Sequence, residues 1–203
     1  MKPFRVHLFR FVAVMAVTVI IAGCVTTIKT KDIQQLQTGS PLKSINPKIF
    51  AFKEFKDIRG TEPSLVWKLG GRDVILDMPA ATVVATAIKR ELERNGHTCV
   101  MDTPESKANF VIEGAVYKYL LRADSGFFTT KIIGNVAVKL TVSAVSDVKK
   151  VLTKSYEGEY YLSSNNSNPV PTLNSWVAIS NQALLEMVKE ISTDSELIEF
   201  LEK

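Results

Sequence analysis

The chain is poor in the residues that do chemistry: it has two cysteines and two histidines among 203 residues. Two cysteines exclude a disulfide framework. With His7 in the first ten residues, His97 is the only imidazole in the rest of the chain. A zinc site takes three or four ligands, and His97 with Cys99 does not supply them, so no metal site is predicted. No Gly-x-Ser-x-Gly elbow, His-Glu-x-x-His pair, Walker loop, Gly-x-Gly-x-x-Gly turn or Cys-x-x-Cys motif occurs. The sequence therefore predicts no cofactor and no enzyme. Asp73 and Asp77 read as loop polarity and helix capping, His97 as a solvated or capping residue, and Cys99 as a small buried strand residue.

Acids are missing from the start of the chain, and charge of either sign from the stretch that follows. No acid precedes Asp32, and Phe11 to Ala22 carries no charge. The formal charge of +4 is concentrated at this end. With residues 1–23 removed, 22 basic residues face 21 acidic ones. Such a balance has no electrostatic footprint for nucleic acid. The remaining composition, 46% hydrophobic and 23% charged, is that of an ordinary globular chain of one domain.

What is present at the start is a secretion signal. Lys2, Arg5 and Arg10 precede an apolar run that is short of the roughly 20 residues needed to span a bilayer. It ends in Ile21-Ala22-Gly23-Cys24, which resembles the bacterial lipobox. That resemblance implies cleavage between Gly23 and Cys24 and a diacylglyceryl thioether on Cys24, often with acylation of the new amino group. A thiol is the natural nucleophile for the alkylation, and two or three acyl chains anchor stably where one does not. Val25 follows the cysteine, and the lack of an acid there favours the outer membrane in a Gram-negative cell, with the domain facing the periplasm.

Three regions follow from this: residues 1–23 as the lipoprotein signal peptide, 24–44 as a lipidated start and flexible tether, and 45–203 as the folded domain. The tether reading rests on weak periodicity and on Thr, Lys, Gln and Ser content; some 20 flexible residues span roughly 25 Å.

Residues 45–203 predict an α+β (α/β) domain. About five strands would form a mixed, largely antiparallel sheet, with two main helices packed on one face and a short C-terminal helix. Lys48–Phe55 reads as a buried strand and 56–73 as a long loop. Asp77 and Pro79 open a helix that stops at Asn95-Gly96. Thr130–Ser146 alternates most clearly, with Ile132, Val136, Val138, Leu140, Val142 and Ala144 on one parity. Asn174 or Ser175 caps the second helix, and Thr193-Asp194-Ser195-Glu196 reads as a capping box.

Two places suggest contact with a partner. Asp124-Ser125-Gly126-Phe127-Phe128-Thr129 places adjacent phenylalanines near a hairpin tip, where one must point outward in an extended chain as a contact for a partner or a lipid surface, unless the loop folds back over the core. In the 56–73 loop, Trp67 offers a ring for a sugar or a partner side chain, or a plug for the sheet edge.

The mature chain also resembles the YajG-type lipoproteins of Gram-negative bacteria. The matching residues are Asp57-Ile58-Arg59-Gly60, Glu91-Leu92-Glu93-Arg94-Asn95-Gly96, Asn181-x-Ala183, and Ile191-Ser192-x-Asp194-x-x-Leu197-Ile198-Glu199-Phe200-Leu201. The resemblance implies an envelope lipoprotein without an assigned reaction, in which lipidated Cys24 is the one residue whose role carries over. The expected function is a non-enzymatic, membrane-anchored accessory module of an envelope complex. The alternative is an envelope protein that binds lipid, glycan or peptidoglycan fragments.

Overall fold

The computed structural model describes residues 24–29, 40–69, 72–101, 107–125, 129–164 and 172–203. Among them nine strands and three helices follow in order. They are β1 (Cys24–Ile28), β2 (Ile49–Phe52), β3 (Lys56–Asp57), β4 (Leu65–Leu69), β5 (Arg72–Leu76), α1 (Ala80–Arg94) and β6 (Thr98–Met101). Then come β7 (Phe110–Ser125), β8 (Thr130–Ala144), β9 (Val151–Ser164), α2 (Leu173–Thr193) and α3 (Ser195–Glu202).

The larger sheet has the order β6-β2-β7-β8-β9, with β3 also paired to β7. β2 runs parallel to both β6 and β7, while β7, β8 and β9 form an antiparallel meander. The predicted mixed sheet is present, but it has more strands than the five expected, and a second sheet of order β1-β5-β4 stands beside it. The extra strands come from stretches read as a loop and a tether. Turn-forming Gly60, Pro63 and Gly70-Gly71 conceal strands of two and five residues, too short to show a period.

The tether is corrected in the same way at both of its ends. β1 pairs in parallel with β5, from Cys24 opposite Arg72 to Ile28 opposite Leu76. Ile28 is fully buried, and its carbonyl accepts the N–H of Asp77 at 3.0 Å. A 3-10 turn at Pro41–Ser44 buries Leu42 completely. Burial of apolar Ile28 and Leu42 offsets part of the cost of ordering the chain around them, and the backbone pairing of β1 with β5 adds to it.

The core lies between the larger sheet and the helices. The even parity of β8 is buried as its alternation predicts, but Ile133, Asn135 and Ala137 of the other parity are buried too; α2 crosses β8 and β9 on the even-parity face with Ile179, Ala183, Leu184, Met187 and Val188 inward. α1 turns Val84, Ile88 and Leu92, spaced four apart, into the same core. Its start differs from expectation. Pro79 holds the N-cap position with no side-chain cap, so Asp77 is not the cap. Its end follows the Asn95-Gly96 signal, with Gly96 at φ +91°. α2 is capped by Thr172, whose hydroxyl accepts from the Ser175 N–H, one turn ahead of the expected Asn174 or Ser175.

Asp194 fastens the C-terminal end. It caps α3 by accepting the Glu196 N–H at 3.0 Å. It also accepts from the Tyr156 hydroxyl at 2.6 Å and the Lys154 ammonium at 2.9 Å, both on β9. Burial alone would raise the Asp194 carboxyl; the hydrogen bonds from Tyr156, Lys154 and the Glu196 N–H outweigh it and hold the group below 3.8. Asp57 is likewise pushed up by burial and carried below 3.8 by its bonds from Arg59. A depressed carboxyl contributes stability that is complete above its unfolded value and is lost as pH falls through its folded value. Stability should therefore hold near neutrality and decline as pH drops below about 4. In Asp194→Asn, urea midpoints measured between neutral and acid pH should show a shallower acid limb.

Candidate functional site

The residues singled out by sequence come to different places. Cys24 is the first residue of β1, held to the domain through the backbone pairing with β5. Gly23, Phe127 and Phe128 lie outside the described residues. Trp67 sits mid-β4, half-buried, with its ring centroid 5.0 Å from that of Trp176 at the start of α2. It therefore seals the join between the smaller sheet and α2, the sheet-edge role that the sequence left open beside partner contact.

The 56–69 stretch is organised by Arg59. Its guanidinium is 4% exposed and forms a two-point pair with Asp57, at 2.9 and 2.7 Å. The same group donates to the carbonyls of Leu65 at 2.8 Å, Tyr119 at 3.2 Å, Glu62 at 3.2 Å and Pro63 at 2.6 Å. The planar fork of arginine suits this many acceptors in a way an ammonium does not. Arg59 thereby ties β4 to β7, and a stretch read as loop is a fastened corner.

His97 is buried, which corrects the solvated reading. It packs edge-on against Phe50 at 5.5 Å, and Nδ1 accepts the Lys48 N–H at 3.3 Å. Burial lowers its pKa, so the ring is neutral at pH 7. Asp73 lies in β5 of the smaller sheet, whereas His97 precedes β6 of the larger one. Cys99 is buried as expected, with its thiol pushed up to about 12 by burial, the opposite of a reactive thiolate. Among the described residues no group of three or more His, Cys, Asp or Glu side chains could hold a metal ion. Nor does any described helix have the length and apolarity to cross a membrane.

One open cleft of about 320 Å³ runs beside α1, lined by Phe55, Ala81, Ala85, Lys89, Arg90 and Met101. A different surface lies at the far end of the meander, where Ser125, Thr130 and Ser164 share the last paired row. Tyr161 and Leu162 are exposed there, and the Lys131 ammonium sits 4.2 Å from the Tyr161 ring centroid. Sequence reasoning passed over these residues. The available signal was Tyr160-Tyr161-Leu162, three large residues in a row that a strand cannot bury on one face.

The comparisons with known proteins add a family. The profile of a family described as an uncharacterized lipoprotein matches residues 74–202. The chain belongs to this family of lipoproteins. The matched span runs from β5 to the last turn of α3, the helices and meander described above. A lipoprotein family suggests a membrane-anchored place in the cell envelope. No curated protein matches the chain. The fold of this lipoprotein is similar to the crystal structure of a Xanthomonas campestris protein. The two are 13% identical with a TM-score of 0.57, over 86% of this chain and 94% of that one. A minor lipoprotein of Acinetobacter baumannii is more loosely similar, at 14% identity and a TM-score of 0.39, over 73% of this chain and 90% of that one.

Proposed function

We propose that this lipoprotein is a non-enzymatic accessory module of a cell-envelope complex, anchored through acyl chains on Cys24. The observation that carries the reading is the lipobox Ile21-Ala22-Gly23-Cys24 at the head of a chain belonging to a lipoprotein family. The signal peptide ends at Gly23, and Val25 after the cysteine favours the outer membrane, facing the periplasm. Within the family, the residues around Asn181 and from Ile191 to Leu201 favour kinship with the YajG type. The partner is an envelope protein held in the same membrane, and Phe127 and Phe128 are its contact. Trp67 is the weaker contact of the three, because much of its ring is spent on Trp176.

Intact mass and crosslinked pull-down from cells test this together. The wild-type protein should carry the mass of two or three acyl chains and bring down a specific envelope protein. Cys24→Ala should lose the added mass and leave the membrane fraction. Phe127→Ser with Phe128→Ser should keep the mass and lose the partner. An unmodified Cys24 in the wild type would overturn the anchor.

The cleft beside α1 favours a second reading, the binding of an envelope lipid, glycan or peptidoglycan fragment. It expects saturable binding of such a fragment by wild type, abolished in Ala85→Trp, which would fill the cleft. If acylation is found and no protein partner is, this reading takes precedence.

A further inference from the structure

The place of Cys24 in the fold sets where the membrane must be. Cys24 lies four positions before Ile28, which is fully buried. At 3.3 Å per strand residue its Cα lies only about 13 Å from a core position, along a strand already paired. Acyl chains on Cys24 would thus leave from the body of the domain, with no slack chain between.

The register shows which end this is. Tyr119, in the row of Val136 and Gly158, bonds Ser180 of α2 at 2.9 Å. Gly134, nearer the last row, lies under Ile179, whereas Gly158 lies under Ala183 and Met187. α2 therefore starts at the Ser125–Thr130–Ser164 end, and Trp176 is one turn closer to it than Ser180. Arg59 links the Leu65 carbonyl to that of Tyr119, while Trp67 packs at a tilt against Trp176. So β4 also advances toward that end, and beyond Trp67 its Leu69 pairs with Arg72, whose other neighbour is Cys24.

The same end exposes large apolar side chains: Val25 (58%), Tyr161 (57%), Leu173 (48%) and Leu162 (42%). Lys131 lies over Tyr161. Aromatic rings with a polar tip, and lysines with an apolar stem, suit the boundary between lipid headgroups and acyl chains. We propose that this end of the domain, the last rows of β7–β9 with the starts of α2 and β1, rests directly on the bilayer surface that holds the Cys24 acyl chains. The inference rests on acylation of Cys24. It adds that the domain lies on the lipid, with the β8–β9 turn about Val148 pointing away. β8 has 15 residues, so that turn is roughly 45 Å from the lipid.

Nitroxide labels on the acylated full chain decide it. One is placed at Ser163→Cys near the last row and one at Val148→Cys; the buried Cys99 thiol does not compete. The protein is reconstituted in phosphatidylethanolamine–phosphatidylglycerol vesicles after its intact mass is read. The label at 163 should collide with a water-soluble nickel chelate several-fold less often than the label at 148, and more often with oxygen. Tyr161→Ser with Leu162→Ser should restore much of the chelate access at 163. If the mass shows acylation and both labels are equally open to the chelate, the docking is overturned while the anchor stands. If Cys24 carries no lipid, both fall together.

Discussion

Arg59→Ala should cost the protein about 3–5 kcal/mol, the range for removing one partner of a buried ion pair. The guanidinium is 4% exposed, and its loss leaves the Asp57 carboxylate, itself only 14% exposed, without its counter-charge. It also leaves four carbonyls, those of Glu62, Pro63, Leu65 and Tyr119, without this donor. Urea unfolding followed by circular dichroism reads the change in midpoint. Arg59→Lys should recover little, because one ammonium cannot meet a two-point carboxylate and several carbonyls arranged around a plane. If Arg59→Ala unfolds at the wild-type urea concentration, the fastened corner described above is wrong. Asp57→Asn should fall between the two, since it keeps an acceptor and loses the charge.

Gly158→Ala should be nearly as damaging, at about 3 kcal/mol or more, the upper part of the range for overpacking a core. A Cβ at this position would stand 2.0 Å from the Ala183 carbonyl oxygen and 2.3 Å from the Met187 nitrogen, both backbone atoms of α2. Backbone cannot rotate away as a side chain can, so the helix must lift from β9 and open the contacts of Met187 and Ala183 below it. Gly60→Ala is the comparison. Gly60 has φ +74° and no heavy atom within 4 Å of the added carbon, so its cost is backbone strain alone, of order 1–2 kcal/mol. Thermal melts that show the two alanines equally harmful would mean that α2 is not seated on Gly158 as closely as described.

The long elements were legible because their periods are long enough to repeat. Thr130–Ala144 alternates over 15 residues, and α1 and α2 carry apolar stripes of several turns. Local signals fared well where a single residue type decides the backbone, as at Asn95-Gly96, and less well at the Thr193 capping box, where Asp194 and not Thr193 caps α3 and the Thr193 hydroxyl donates back to the Lys189 carbonyl. They fared worse at Asp77 and at Asn174 or Ser175. At α2, Thr172, Asn174 and Ser175 compete for the cap and Thr172 takes it, whereas at α1 Pro79 holds the N-cap and Asp77 stands two residues ahead of it.

What the sequence by itself determined is the order of long strands and helices, the α+β class and the poverty of catalytic residue types. Each is set by residues close together in the chain. Only the tertiary structure decided that β1 and Leu42 belong to the domain, that β4 and β5 form a second sheet, and that His97 is buried against Phe50. It also decided that Arg59 fastens a corner and that the start of β1 shares an end with Tyr161 and Leu162. These depend on pairings between segments tens of residues apart, such as Cys24 with Arg72 or Arg59 with Tyr119. A strand of two to five residues has too few positions to declare a face, and its partner is chosen by burial, which exists only once the chain has folded.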